Sequence, residues 1–172
     1  MITTVVAGNP KPGSHTLEAA TIVAERLTGS APDHVVDVIA LGPGILGWGD
    51  PGVQAAVATV AASDLVVVAS PTFKATYTGV LKLFLDQFTT ADGLAGVTAV
   101  PLMLGAGPAH HMAPEVFLKP VLVELGATVP VQGLYLNDKH YTDESSTEGW
   151  LARWRDVVLA AASAPTKEGT SA

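Results

Sequence analysis

Apolar and polar positions alternate between two rhythms along the chain. Ile2 to Ala7 is a short apolar run of strand length. Leu17, Ala20, Ala24 and Leu27 then recur at helical spacing, and His34 to Ile39 forms a second strand-like run. Gly42 to Gly52 carries Pro43, Gly44, Gly47 and Pro51 and reads as a loop. Val53, Ala56, Val57 and Val60 mark a helix. Asp64 to Ala69 contains the plainest buried strand, Leu65-Val66-Val67-Val68. Val80, Leu81, Phe84, Leu85 and Phe88 make a helical face, followed by a strand at Val97 to Leu104. Pro101 lacks an amide donor, so that strand is expected to be irregular there or to spare one bond. Val116, Phe117, Val121 and Leu125 predict a helix that Pro120 bends. Val129 to Leu136 is the fifth strand, with Pro130 near its start. Trp150, Trp154, Val157, Val158 and Ala161 form a last helical stripe, with Ser145 and Glu148 as a capping box ahead of it.

Five strands separated by helices predict an α/β fold: an open five-stranded parallel sheet with helices on both faces. Right-handed crossovers and this length favour the order 2-1-3-4-5. One domain is expected over 1–163, with 164–172 a flexible polar tail. In such a sheet, ligands sit beyond the carboxyl ends of strands one and three.

Composition narrows the function. The 48% hydrophobic content excludes global disorder. No signal peptide is read at the start, where Lys11 follows a run of only six apolar residues, and every apolar run is too interrupted to span a bilayer. Cysteine is absent, which excludes disulfides and thiolate chemistry and fits a cytoplasmic protein. Nine basic against sixteen acidic residues, a net charge of -7, argue against a nucleic-acid surface but not against a local anion site. Only 15% of residues are charged, so apolar surface hidden by oligomerisation is expected.

Three strand exits carry the candidate chemistry. The first is Gly8-Asn9-Pro10-Lys11-Pro12-Gly13-Ser14-His15-Thr16, which ends where a helix begins. Free amides at a helix start, two hydroxyls and a lysine suit a phosphate. The stretch matches neither GxxxxGK[ST] nor GxGxxG, and an ordinary turn capped by Ser14 reads equally well. The second exit, Ser70 to Gly79, holds Pro71, Thr72, Phe73 and Lys74. Its backbone and Thr72 could meet the edge of a planar heterocycle, Phe73 or Tyr77 could wall it, and Lys74 could neutralise an anion. Equally, the aromatics could plug the sheet edge. No nucleophile stands beside a base. In the third exit, Leu104-Gly105-Ala106-Gly107-Pro108-Ala109-His110-His111, the glycines let backbone approach something flat. Adjacent histidines point apart in a regular element, so they make a poor metal pair, and no metal site is expected. Asp138, Lys139 and His140 form a weaker polar stretch.

Taken in order, GNPKPGSHT, SPTFKATYTGVLKLFLDQF and LGAGPAHHMAPEVFLKPVLVELGA resemble the NAD(P)H-dependent FMN reductase family. The likeness runs from Thr3 to Leu136 and is closest to the reductase components of two-component flavin monooxygenases, including the alkanesulfonate type. It implies a flavodoxin-like fold, a homodimer or homotetramer, FMN with NADPH or NADH, and a monooxygenase partner. By the same resemblance, Asn9, Lys11, Ser14, His15 and Thr16 surround the FMN phosphate. Pro71, Thr72, Phe73 and Lys74 line the ribityl chain and ring edge, Gly105, Ala106 and Gly107 approach the ring, and His111 follows the glycine loop.

The implied reaction is hydride transfer from nicotinamide C4 to flavin N5, which needs no catalytic side chain. Other readings on the same fold are an FMN-bound quinone, azo or metal-oxyanion reductase and a non-enzymatic electron carrier. Two departures from the family stand out. Lys11 replaces a common arginine and loses its planar fork. Val116 stands where alkanesulfonate-type reductases insert a tyrosine associated with a π-helical bulge, which leaves the tetramer-locking bulge an open question here.

Overall fold

The computed structural model describes residues 1–164, so most of the expected 164–172 tail lies outside the described residues. Its centre is a five-stranded parallel sheet in the order β2-β1-β3-β4-β5. The strands are β1 (Thr3–Ala7), β2 (His34–Asp37), β3 (Leu65–Pro71), β4 (Thr98–Gly105) and β5 (Leu134–Asn137). The expected winding is the observed one, and the parallel registers run Val5 to Val67, Val67 to Val100 and Leu102 to Leu134.

All seven β3 residues are buried, as a central strand covered on both faces requires. Alternation along it feeds two cores. Val66 and Val68 join Val53 and Val60 of α2 (Pro51–Ala61), Leu81 and Phe84 of α3 (Gly79–Leu85), and Leu122 of α4 (Lys119–Glu124). Leu65, Val67 and Ala69 join Ala20, Val23 and Leu27 of α1 (His15–Thr28) and Val158 of α5 (Ser145–Ala162). Burying each such Val or Leu side chain contributes on the order of 1.5–3 kcal/mol, so the sheet centre is the rigid base for its exits.

Several boundaries differ from the sequence reading. β2 ends at Asp37, and a 3-10 segment, Val38–Leu46, occupies part of the expected loop, kinked at Gly42 with φ 68°. Pro71, expected in a loop, is the last residue of β3. Pro101 sits within an unbroken β4. Ala99 N–H donates to Thr128 O at 2.9 Å. Amides alternate sides, so Pro101 faces the gap before pairing resumes at Leu102 and Leu134. The strand thus spares one bond.

β5 is shorter than Val129 to Leu136 because side chains satisfy the backbone ahead of it. Lys119 Nζ donates to Val131 O at 2.9 Å, and Gly133 N–H donates to Glu115 Oε2 at 2.7 Å. The capping box at α5 does not form: Ser145 lies inside the helix and Glu144 holds the cap position without a side-chain bond. Val157, placed on the inward stripe by spacing, is exposed.

Pro114–Leu118 is a π-helical turn, in which Lys119 N–H reaches back to Pro114 O. The bulge therefore exists without the tyrosine. Pro120 offers an explanation: it has no N–H and its ring crowds the carbonyl four residues back, and a widened turn just ahead of it relieves that crowding. Val116 and Phe117 are left exposed on this turn.

Candidate functional site

The exits of β1, β3 and β4 lie side by side at the carboxyl edge of the sheet. Between the first two, the approach is close enough to demand glycine. A Cβ on Gly8 would overlap the Leu81 side chain and come within 2.7 Å of its Cα. Thr78 caps α3 by accepting from Leu81 N–H at 3.1 Å and donates its hydroxyl to Gly8 O at 2.6 Å, tying the two exits together.

The first loop folds on its own polar side chains. Asn9 Oδ1 accepts from Lys11 N–H at 2.9 Å, and Asn9 Nδ2 donates to Thr16 Oγ1 at 2.9 Å. Gly13 takes a left-handed φ of 57° and donates its amide to Asp37 Oδ2 at 2.9 Å. Ser14 is the N-cap of α1, accepting from Leu17 N–H at 3.4 Å. Both hydroxyls, Ser14 and Thr16, act here as acceptors and so keep a proton to donate. The first amides of α1 have no intrahelical acceptor. Lys11 adds a positive charge at the exposed rim. The His15 ring lies 5.3 Å, centroid to centroid, from Tyr141. Burial and the Tyr141 hydrogen bond to Glu18 Oε2, at 2.6 Å, push the phenol up to about 12.

A cleft of about 460 Å3 opens above these exits. Asn9, Lys11, Ser14, His15 and Thr16 line one end; Pro71, Thr72 and Phe73 line its middle; Gly105 and Ala106 close the other. A second cleft of about 580 Å3 runs from Thr72, Gly105 and Ala106 along Gly107 to His110. The two share the Thr72–Gly105–Ala106 wall. Eleven of the thirteen residues singled out in the sequence thus line one cleft or the other. Lys74 and His111 do not. Lys74 sits at the tip of a tight turn closed by Phe73 and Thr76, where Lys74 and Ala75 both hold positive φ, 52° and 71°. The His111 ring is turned back to Pro108 O at 3.0 Å.

The sequence reading missed the contribution of β5. Tyr135 donates its hydroxyl to Gly107 O at 2.7 Å, and Asn137 Nδ2 lies 3.3 Å from Ala106 O. Asp138 lines the first cleft. The signal was available: β5 neighbours β4, and its exit falls on the same edge. Two buried oxygens in the cleft wall, Thr72 Oγ1 and Asp138 Oδ1, have no protein partner among the described residues.

A third cleft of about 600 Å3 lies elsewhere, between α1 and α5, lined by Arg26, Glu148, Arg155 and Asp156. Its cations already serve the fold. Arg26 donates to Thr142 O, Asp143 O and Thr147 Oγ1, and Arg155 Nε donates to Leu27 O. The carboxyl-edge clefts instead combine free donors for an anion, unpaired oxygens for hydroxyl or N–H groups, and bare backbone for a flat ring.

The sequence model of the family described as NADPH-dependent FMN reductase matches residues 1–142. A protein named FMN reductase (NADPH) from Pseudomonas putida is 34% identical over 98 residues, covering 57% of this chain and 49% of that protein. One of the same name from Escherichia coli is 37% identical over 81 residues, covering 47% and 42%. The chain spans about half the length of the curated relatives it matches. A solved NADH:FMN oxidoreductase in its apo form superposes with a TM-score of 0.80 at 26% identity, covering 95% of this chain and 91% of that one. An oxidoreductase from Corynebacterium diphtheriae shares the fold, with a TM-score of 0.73 at 23% identity and coverage of 94% and 93%.

Proposed function

The chain belongs to the NADPH-dependent FMN reductase family, and from that premise we propose that it transfers hydride from NADPH or NADH to FMN at the carboxyl edge of its sheet. The observation that carries the reading is the graded lining of the first cleft. An anion-binding helix start stands at one end and bare glycine-loop backbone at the other.

The residues present fit FMN. The α1 amides, the Ser14 and Thr16 hydroxyls and Lys11 would hold its phosphate. The unpartnered Thr72 Oγ1 and Asp138 Oδ1 would meet the hydroxyls or ring N–H that follow. Gly105, Ala106 and Gly107 would lie against the ring, with Phe73, half exposed, beside it. When bound, FMN supplies the redox chemistry, accepting a hydride from the nicotinamide. The second cleft shares the Thr72–Gly105–Ala106 wall and would admit the nicotinamide against the same ring. These residues bind, align and exclude water; none has to move a proton for the hydride to pass.

Three finer parts belong to the same reading. The exposed Met112, Val116, Phe117 and Val123 support self-association through the π turn and α4. The resemblance of the three loops to two-component reductases supports a partner monooxygenase as consumer of reduced FMN. The cysteine-free sequence supports a cytoplasmic setting, and no helix among the described residues is long and apolar enough to cross a membrane.

The test is an anaerobic titration of gel-filtered protein resupplied with FMN, following the flavin absorption band. Bleaching by NADPH or NADH is the expected result. Flavin lost on the column marks FMN as a released substrate, and flavin retained marks it as a resident group. Failure of both nucleotides to bleach the band overturns the proposal.

A further inference from the structure

Three consecutive carbonyls of the glycine loop are held by one neighbouring segment. Gly105 O accepts from the Asp138 amide at 3.0 Å. Ala106 O is met by Asn137 Nδ2 at 3.3 Å, and Gly107 O by the Tyr135 hydroxyl at 2.7 Å. All three donors come from β5 or the residue just after it. In a planar trans peptide, a C=O and the N–H that follows it point in opposite directions. Drawing these carbonyls toward β5 therefore turns the Ala106 and Gly107 amides away from it. In the strand order that direction is the β3 side, where Thr72 stands and both clefts open. Pro108 has no amide, so the pair ends there.

A second observation ties Tyr135 to the same loop. A Cβ added at Gly105 would fall on the Tyr135 hydroxyl and within 2.9 Å of its Cζ. The phenol occupies the space beside Gly105, on the side where Thr72 Oγ1 also lies, that any other residue's Cβ would claim. With Tyr135 in that place, residue 105 has room only for glycine. Burial pushes the Tyr135 phenol above its ordinary pKa, so it remains a donor across the neutral range.

We propose that Tyr135 and Asn137 form a positioning pair, in which Asn137 holds the peptide that carries the Gly107 amide and Tyr135 anchors the peptide after it. The pair clamps the glycine loop so that the Ala106 and Gly107 amides stand ready as paired donors to an electronegative edge of the bound heterocycle. Neighbouring amides aimed one way form a concavity for negative charge. Donors fixed before binding need no ordering when the ligand arrives. If they face the part of the ring that gains charge on reduction, they also raise its reduction potential. Tyr135 touches neither FMN nor nicotinamide in this account and acts only through the loop. The proposal rests on the FMN reading above.

The test pairs Tyr135→Phe with Asn137→Ala in the full chain and has two readouts. Amide hydrogen exchange of flavin-free protein reports the clamp itself. Exchange at the Asp138 amide, which donates to Gly105 O, should quicken about tenfold in Tyr135→Phe as the clamp loosens, with β3 amides unchanged. FMN titration by flavin fluorescence should show about tenfold weaker binding, with the midpoint potential of the bound flavin lowered. Asn137→Ala should move both readouts the same way, and it supplies the answer if Tyr135→Phe does not fold. Unchanged exchange at the Asp138 amide overturns the clamp. Faster exchange with unchanged FMN affinity and potential overturns its positioning role. Wild-type protein that binds no FMN would fail the reductase reading instead, while the exchange data still judge the clamp.

Discussion

The loop after β1 and the loop after β4 close opposite ends of one cleft, yet they are held in different ways. The first folds largely on itself. Asn9 reaches Lys11 and Thr16, and Ser14 reaches Leu17, all within seven residues, with Asp37 as the one tie to the loop tip from farther along the chain. The glycine loop has no side chain able to do this. Its shape comes from Tyr135, Asn137 and Asp138, some thirty positions away. A polar loop carries its own scaffold, whereas a bare loop that lets backbone meet a ring has to borrow one.

The contrast can be broken most severely at Gly105. Gly105→Ala forces a methyl group onto the Tyr135 hydroxyl, so either the loop or the tyrosine moves. We expect a loss of about 2 kcal/mol in urea unfolding and FMN binding weakened well beyond that of Tyr135→Phe. A neutral result would mean that the loop is not packed against Tyr135.

Ser14→Ala probes the self-supporting loop. Losing the cap bond of α1 should cost about 1 kcal/mol of stability, with FMN binding weakened several-fold. Hydrogen exchange should rise at the Leu17 amide and stay unchanged at the Asp138 amide that holds the glycine loop. Spread of the effect to the glycine loop would show that the two ends are not independent.

The smallest effect is a pH dependence in the segment leading into β5. Partial burial works against the Glu115 charge, but the Gly133 amide and Lys119 outweigh it, and the carboxyl sits below its ordinary pKa of 4.5. A depressed carboxylate adds stability above its unfolded-state pKa and loses it as pH falls through the folded-state value. Wild-type stability should therefore fall more steeply below about pH 4.5 than that of Glu115→Gln, as measured by urea unfolding across the acid range. Equal slopes would remove Glu115 from the account of how β5 is set.

The same contrast explains what was legible in the chain. The runs Ile2 to Ala7, Asp64 to Ala69 and Val97 to Leu104 announce central strands because burial on both faces leaves polar residues only toward their starts. The first loop is legible too, since its hydroxyls and the Asn9 side chain act on near neighbours. Tyr135 is not: within Leu134-Tyr135-Leu136-Asn137 it looks like strand filling, and only the pairing of β5 with β4 brings it to Gly107. Alternation does place Tyr135 and Asn137 on one face, which is the trace that sequence offers. Residues 129–133 misled because their apolar pattern suits a strand, while Lys119 and Glu115 satisfy their backbone instead. The π turn was hidden because the family's tyrosine is missing, although Pro120 was in plain view.

The most direct measurement of the central claim is amide hydrogen exchange of the wild-type chain with and without saturating FMN. The account predicts slowed exchange at residues 9–16 and at 104–107 together, with the α1–α5 groove around Arg26 and Arg155 unchanged. Slowing confined to that groove, or none at the glycine loop, would contradict it.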